Sequence, residues 1–258
     1  MSDIDINKGN WIKDYDEYML IKFTRKYEYQ QDFLDGRLYF NTVDFFRKCD
    51  AKGQGDSNEG NNFIINNQDP KMISANLEKV NGKYMIVVRD YTNNPLEYKP
   101  GIIKSYSAAD NRNRKIICFY TMYINFEKKK VSPFPQNMGQ EFGEYGVLIL
   151  NRQEFFKRVE AALKKIKNCN DPQMGFVEYQ EMAAGYNEWH PFKKEKKLFD
   201  YQNEFRITFK NENEKPYILD LECTLRDIAV PIIAEDVGQI YVEKQSIVYP
   251  IRRNISDE

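Results

Sequence analysis

Apolar and polar positions recur along this chain with two different periods, and the period marks the element. Residues 18–24, YMLIKFT, form an apolar run rich in β-formers. KYEYQQDFL follows and ends at Gly36, a residue suited to a helix C-cap, after which RLYFNT alternates with period two. Strand, short helix, glycine and strand is the predicted opening unit. KIICFYTMYINF (115–126) and YGVLIL (145–150) read as buried strands. In NRQEFFKRVEAALKKIKN (151–168), Phe155, Phe156, Val159, Ala162, Leu163 and Ile166 fall at helical spacing behind Asn151, a suitable N-cap. MISANLEKV and KYMIVVRDY read as a hairpin turning at Asn81-Gly82.

The remaining segments are read more coarsely. GFVEYQEM is a strand, AAGYNEWHPFKKEKK a loop or helix with a basic end, and LFDYQNEFRITFK a single strand. YILDLECTL, DIAVPIIAED and GQIYVEK close the chain as a strand, a loop or short helix, and a further strand. Residues 49–68, rich in Gly, Asn and Asp, read as a long flexible loop. Many strands with few, unevenly interleaved helices predict an α+β fold, as one domain over residues 1–258.

Composition narrows the function classes. With 41% hydrophobic residues, 18 Tyr and 17 Phe, the chain has ample core material despite a mean hydropathy of -0.71. Its 38 Lys and Arg against 39 Asp and Glu leave no global field for nucleic acid or anionic membrane, so any polyanion site has to be local. No run reaches the roughly eighteen apolar residues of a membrane span, and MSDIDINKGNW lacks the regions of a signal peptide. A cytoplasmic protein with no membrane partner is expected. The four cysteines are scattered without metal-ligand spacing, and the single histidine, His190, reads as a turn cap, so no metal site is expected. Asp56 and Glu59 in GQGDSNEG lack calcium-loop spacing and read as solvated turn residues, and KKEKK as a solvated charge run.

The stretch YQNEFR carries the candidate chemistry. On a strand, Gln202, Glu204, Arg206 and Thr208 share one face, while Phe205, Ile207 and Phe209 take the other. One reading is a sheet with a wet face, on which Arg206 pairs with an acid. Another follows from the order of five motifs: MLIKFT, DGRLYFNTVDFF, ICFYT, YGVLILNRQEFF and YQNEFR. In that order the chain resembles, over nearly its whole length, a large family of bacterial and phage proteins of uncharacterised function. Its members carry L-Y-K-Y, G-x-L-Y-F, C-F-S, G-V-x-I and Y-E-x-E-[WYF]-R.

That layout in turn resembles ADP-ribosyltransferases. The resemblance implies a mixed or antiparallel split β-sheet with flanking helices, and NAD as the substrate that supplies ADP-ribose. By it, Lys22 or Arg25 takes the basic position that holds the pyrophosphate and Thr121 the hydroxyl position. Tyr39 and Asn41 on the second strand join the NAD-binding set. Gln202 becomes the substrate-facing residue and Glu204 the catalytic acid. Such proteins commonly act as toxins or in phage–host conflict, which implies a macromolecular acceptor, protein or single-stranded nucleic acid, and an antitoxin or other partner. Tyr186, Trp189 and Tyr201 beside KKEKK suit a single strand. Two departures stand out: Tyr120 where the pattern has Ser, and Gln202 where it has Glu. The rival is a catalytically inactive binding module on the same scaffold, recognising its partner through the 49–68 loop; a metal-dependent nuclease lacks a paired-carboxylate motif.

Overall fold

The computed structural model describes residues 14–49, 53–66, 74–80, 83–89, 102–106, 108–182 and 185–250. The opening unit forms as its pattern predicts: β1 (Glu17–Thr24), α1 (Tyr27–Leu34) and β2 (Arg37–Thr42). Gly36 ends α1 at φ 87, and a Cβ there would lie 2.1 Å from the Cys223 carbonyl oxygen, so both the backbone angle and the packing require glycine. Thr42 then caps α2 (Val43–Lys48) by accepting from the Phe45 N–H.

β3 (Asn61–Asn66) pairs with β6 (Ile102–Tyr106), and β4 (Ser74–Val80) pairs antiparallel with β5 (Lys83–Arg89). The register sets Val80 opposite Lys83, the spacing of a two-residue hairpin, although Asn81 and Gly82 themselves lie outside the described residues. Then come α3 (Ala108–Asn113), the central β7 (Arg114–Asn125), β8 (Lys130–Val131), α4 (Met138–Phe142), β9 (Tyr145–Ile149) and α5 (Arg152–Lys165). Asn151 accepts from the Glu154 N–H at 3.1 Å and caps α5 as expected. β10 (Asn170–Phe176) and β11 (Glu178–Gln180) follow.

Several predicted segments differ. The predicted 49–68 loop is not loop throughout, since Asn61–Asn66 form β3 and Asp56, Asn58 and Glu59 are buried, and GFVEYQEM is divided between the end of β10 and β11. AAGYNEWHPFKKEKK is neither helix nor plain loop; it contributes β12 (Gly185–Glu188), paired with β3, and β13 (Lys193–Glu195), paired parallel with β11. LFDYQNEFRITFK is not one strand: α6 (Lys196–Phe199) and a 3-10 turn (Asp200–Gln202) lead through Asn203, left-handed at φ 41, into β14 (Glu204–Lys210). After β15 (Tyr217–Asp220), DIAVPIIAED gives β16 (Ala229–Ile233) as well as α7 (Ala234–Val237). Pro231 is tolerated in β16 because this strand lies at a sheet edge, with β9 as its one neighbour in the sheet order. β17 (Tyr241–Glu243) and β18 (Ser246–Val248) close the described chain.

The main sheet runs β10-β14-β7-β1-β9-β16 and all its pairings are antiparallel. The fold is α+β, with the parallel β11–β13 pair standing outside this sheet. One face packs on α1 and α5 through Phe33, Leu34, Phe155 and Val159; the other packs on α4 and α7 through Met138 and Val237. β7 is longer than either partner on its second edge. Its outer half pairs with β1 as far as Ile21↔Tyr120, and its inner half pairs with β2 at Asn41↔Ile116, so residues 117–119 face a gap between β1 and β2. The sheet splits there.

Candidate functional site

The split opens a cleft of about 300 Å³, lined by residues that include Lys22, Arg25, Tyr39, Asn41, Gln202 and Glu204. These six are among the seven residues predicted from sequence. Strand alternation explains the second-strand pair: Leu38 and Phe40 enter the core on the α1/α5 side, which turns Tyr39 and Asn41 the other way. Thr121 is the exception. It stands opposite Leu20 in register, on the α1/α5 face, and is fully buried. Its neighbour Tyr120 lines the cleft instead, because consecutive strand residues point to opposite faces.

At the split, Lys22 reaches across the gap and donates from Nζ to the Cys118 carbonyl oxygen at 3.1 Å, an acceptor that an uninterrupted sheet would give to a neighbouring strand. Burial lowers the lysine pKa below its ordinary value. Arg25 donates to the Glu141 carbonyl oxygen at 3.1 Å. Tyr29 and Tyr39, about half exposed at 52% and 54%, stand with Phe45 at the mouth.

Glu204 opens β14 and is 5% exposed. Its Oε1 accepts from Lys194 at 2.8 Å and its Oε2 from Arg206 Nε at 2.7 Å. Burial alone would push its carboxyl up, but the charges of Arg206 and Lys194 and their hydrogen bonds outweigh it and hold the pKa at about 2. Glu204 is therefore an anion at any physiological pH. Arg206, as expected, pairs with acids: besides Glu204 it grips Glu59 with two parallel bonds of 2.9 Å and donates to the Pro191 carbonyl. Burial pushes the Glu59 carboxyl up.

Gln202 was predicted on the same strand face as Glu204. It lies instead in the 3-10 turn, yet the left-handed Asn203 reverses the chain so that both side chains meet the same ammonium. Lys194 donates to Gln202 Oε1 at 2.7 Å, while Gln202 Nε2 donates to the Gly53 carbonyl at 2.7 Å and to the Tyr201 hydroxyl at 3.2 Å. Both amide N–H groups are committed within the chain, and its Oε1, which accepts from Lys194, keeps one lone pair.

Two participants escaped the sequence reading. Lys194, within the charge run taken as solvated, is 3% exposed, and Glu59, taken as a solvated turn residue, is 2% exposed. Asp56 is buried as well. Neither Lys194 nor Glu59 carried a local sequence signal of burial. Gly53, at φ 77, sits where a Cβ would meet Glu141 Oε2 at 2.2 Å, so this part of the predicted loop packs tightly against α4. Glu141 anchors it further, accepting from Tyr201 at 2.5 Å and Asn137 at 3.1 Å, with its carbonyl accepting from Gln54 at 3.0 Å.

His190 caps a turn as predicted, its Nδ1 accepting from the Phe192 N–H at 3.1 Å. Trp189 is 2% exposed, so it cannot offer a stacking face to a nucleic-acid strand, and the side chain of Tyr186 lies outside the described residues. Among the described residues there is no cluster of His, Cys, Asp and Glu able to hold a metal ion, and no helix long and apolar enough to cross a membrane. No protein-family model, no curated protein and no solved structure matches this chain.

Proposed function

We propose that the protein cleaves NAD between ribose and nicotinamide and transfers ADP-ribose to a macromolecule, with Glu204 as the catalytic carboxylate. The observation that carries this reading is an ionised, buried carboxylate in a split-sheet cleft that also holds the Lys22 ammonium and a rim of aromatic rings. Breaking the glycosidic bond develops positive charge on the ribose, and a carboxylate fixed before the reaction stabilises that charge without reorganising. Each Glu204 oxygen accepts one in-chain hydrogen bond and keeps a lone pair for a ribose hydroxyl. Lys22 would hold phosphate oxygens as a point charge, and Tyr29 and Tyr39 would stack a ring. A cleft of about 300 Å³ is at the small end of ligand sites and suits the nicotinamide riboside half, with the remainder of NAD lying toward the open mouth. The acceptor is a macromolecule, protein or single-stranded nucleic acid; Trp189, being buried, does not serve as a stacking ring for the latter.

A second reading, an inactive binding module, is favoured by one observation: both Glu204 oxygens and the whole Gln202 amide already have partners within the chain. Labelled NAD and cell extract separate the two. The wild-type protein is expected to label an acceptor and release nicotinamide, and Glu204→Gln to lose at least about 100-fold of that rate with NAD binding retained in calorimetry. Unchanged labelling in the variant removes Glu204 from the role; absence of NAD binding by the wild type leaves the binding module.

A further inference from the structure

We propose that Lys194 is a positioning residue for this reaction, its single buried ammonium fixing Gln202 and Glu204 in the one arrangement that turns the carboxylate toward the cleft; the inference rests on the function proposed above. Lys194 is the middle residue of β13, and α6 and the 3-10 turn that follow bring the chain back so that β14 starts with Glu204, ten residues on, beside it. Its ammonium has three donors and no acceptor. One goes to Gln202 Oε1 at 2.7 Å and one to Glu204 Oε1 at 2.8 Å, while the charge lies 4.7 Å from the centre of the Phe199 ring.

Two consequences follow from that geometry. An ammonium can only donate, so it dictates which way the Gln202 amide faces: the oxygen turns to Lys194 and the nitrogen to Gly53 and Tyr201, which ties the 53–54 segment to the wall of the cleft. The carboxylate is likewise held at both ends, Oε1 by Lys194 and Oε2 by Arg206, so it cannot rotate about its last bond. Arg206 cannot supply this alone, because it holds Oε2 while its other nitrogens are committed to Glu59 and Pro191. A stabilising carboxylate works only if it points correctly before charge develops, and a misplacement of about 1 Å costs on the order of 100-fold in rate.

The test is a double-mutant cycle on NAD cleavage with Lys194→Met and Glu204→Gln, with thermal unfolding recorded for each variant. Lys194→Met is expected to lower kcat by about 100-fold with KM for NAD within about two-fold, and to cost nothing further in the Glu204→Gln background. Its acid limb in the pH–rate profile should move upward, since Glu204 loses one of its two cations. A role in folding alone would lower the melting temperature and leave kcat, the cycle and the pH profile of the folded fraction unchanged; that result overturns the proposal. If Lys194→Met does not fold, Lys194→Gln, which is shorter and uncharged and so cannot bridge both oxygens, takes its place with the same expected loss of kcat and the same overturning result. If the wild type does not cleave NAD, the functional reading fails separately, and carbon NMR titration of the Glu204 carboxyl decides the positioning role: a midpoint at least one unit higher in the variant supports it, and an unmoved midpoint overturns it.

Discussion

At the scale of single residues, the site is organised by an unbroken chain of buried charges: Lys194, Glu204, Arg206 and Glu59. Each is at most 5% exposed, so their mutual attraction is little screened, and removing one member strands the others. Arg206→Met, which keeps much of the side-chain volume, leaves Glu59 without its ion-pair partner and Glu204 with only one. It should cost about 3–5 kcal/mol in urea unfolding. Arg226→Ala, breaking an ion pair with Asp35 whose side chains are 47% and 41% exposed, should cost less than about 1 kcal/mol in the same measurement. Equal losses for the two would mean that burial does not set the worth of these pairs. Arg206 shows what the sequence could say of such a residue: that it pairs with an acid was legible from strand alternation. That one of its acids would be Glu59, 147 positions away, was not.

Elements whose hydrophobic period is unbroken were the legible ones. α5 buries Phe155, Val159, Ala162 and Leu163 at the predicted spacing, and its cap is the predicted Asn151. Asn151→Ala removes the acceptor for the Glu154 N–H and should destabilise the protein by about 1 kcal/mol, read as a shift in the denaturation midpoint without a change in slope. Short elements were misread for a common reason. β13 is three residues long and its middle residue is the buried Lys194, so neither length nor hydropathy marks it as a strand. β14 was recognised, but its start was extended backward over Gln202, because a non-glycine residue in the left-handed region, Asn203, interrupts a pattern without changing its polarity.

For the molecule as a whole, acid stability carries the signature of the site. Glu204 titrates at about 2 in the folded state against 4.5 for an ordinary glutamate, so between those values the folded form binds fewer protons than the unfolded form. Its contribution to stability is fully present above 4.5 and is lost as the pH falls through the window toward 2. Thermal unfolding across this range should show a steeper loss in the wild type than in Glu204→Gln, by at most about 1.4 kcal/mol per pH unit for one proton. Parallel curves would mean that the folded carboxyl is not depressed. The sequence by itself determined the α+β character, the opening strand-helix-strand unit and the amphipathic α5, because these follow from local period and from side-chain alternation; the six cleft residues were reached through the motif resemblance and not from periodicity. Only the tertiary structure decided where the sheet splits, that Thr121 faces away from the gap, and that Lys194 and Glu59 are buried partners of the YQNEFR stretch. A charge in a polar run looks solvated until a distant strand supplies the opposite charge and excludes the water, and no local pattern encodes that meeting.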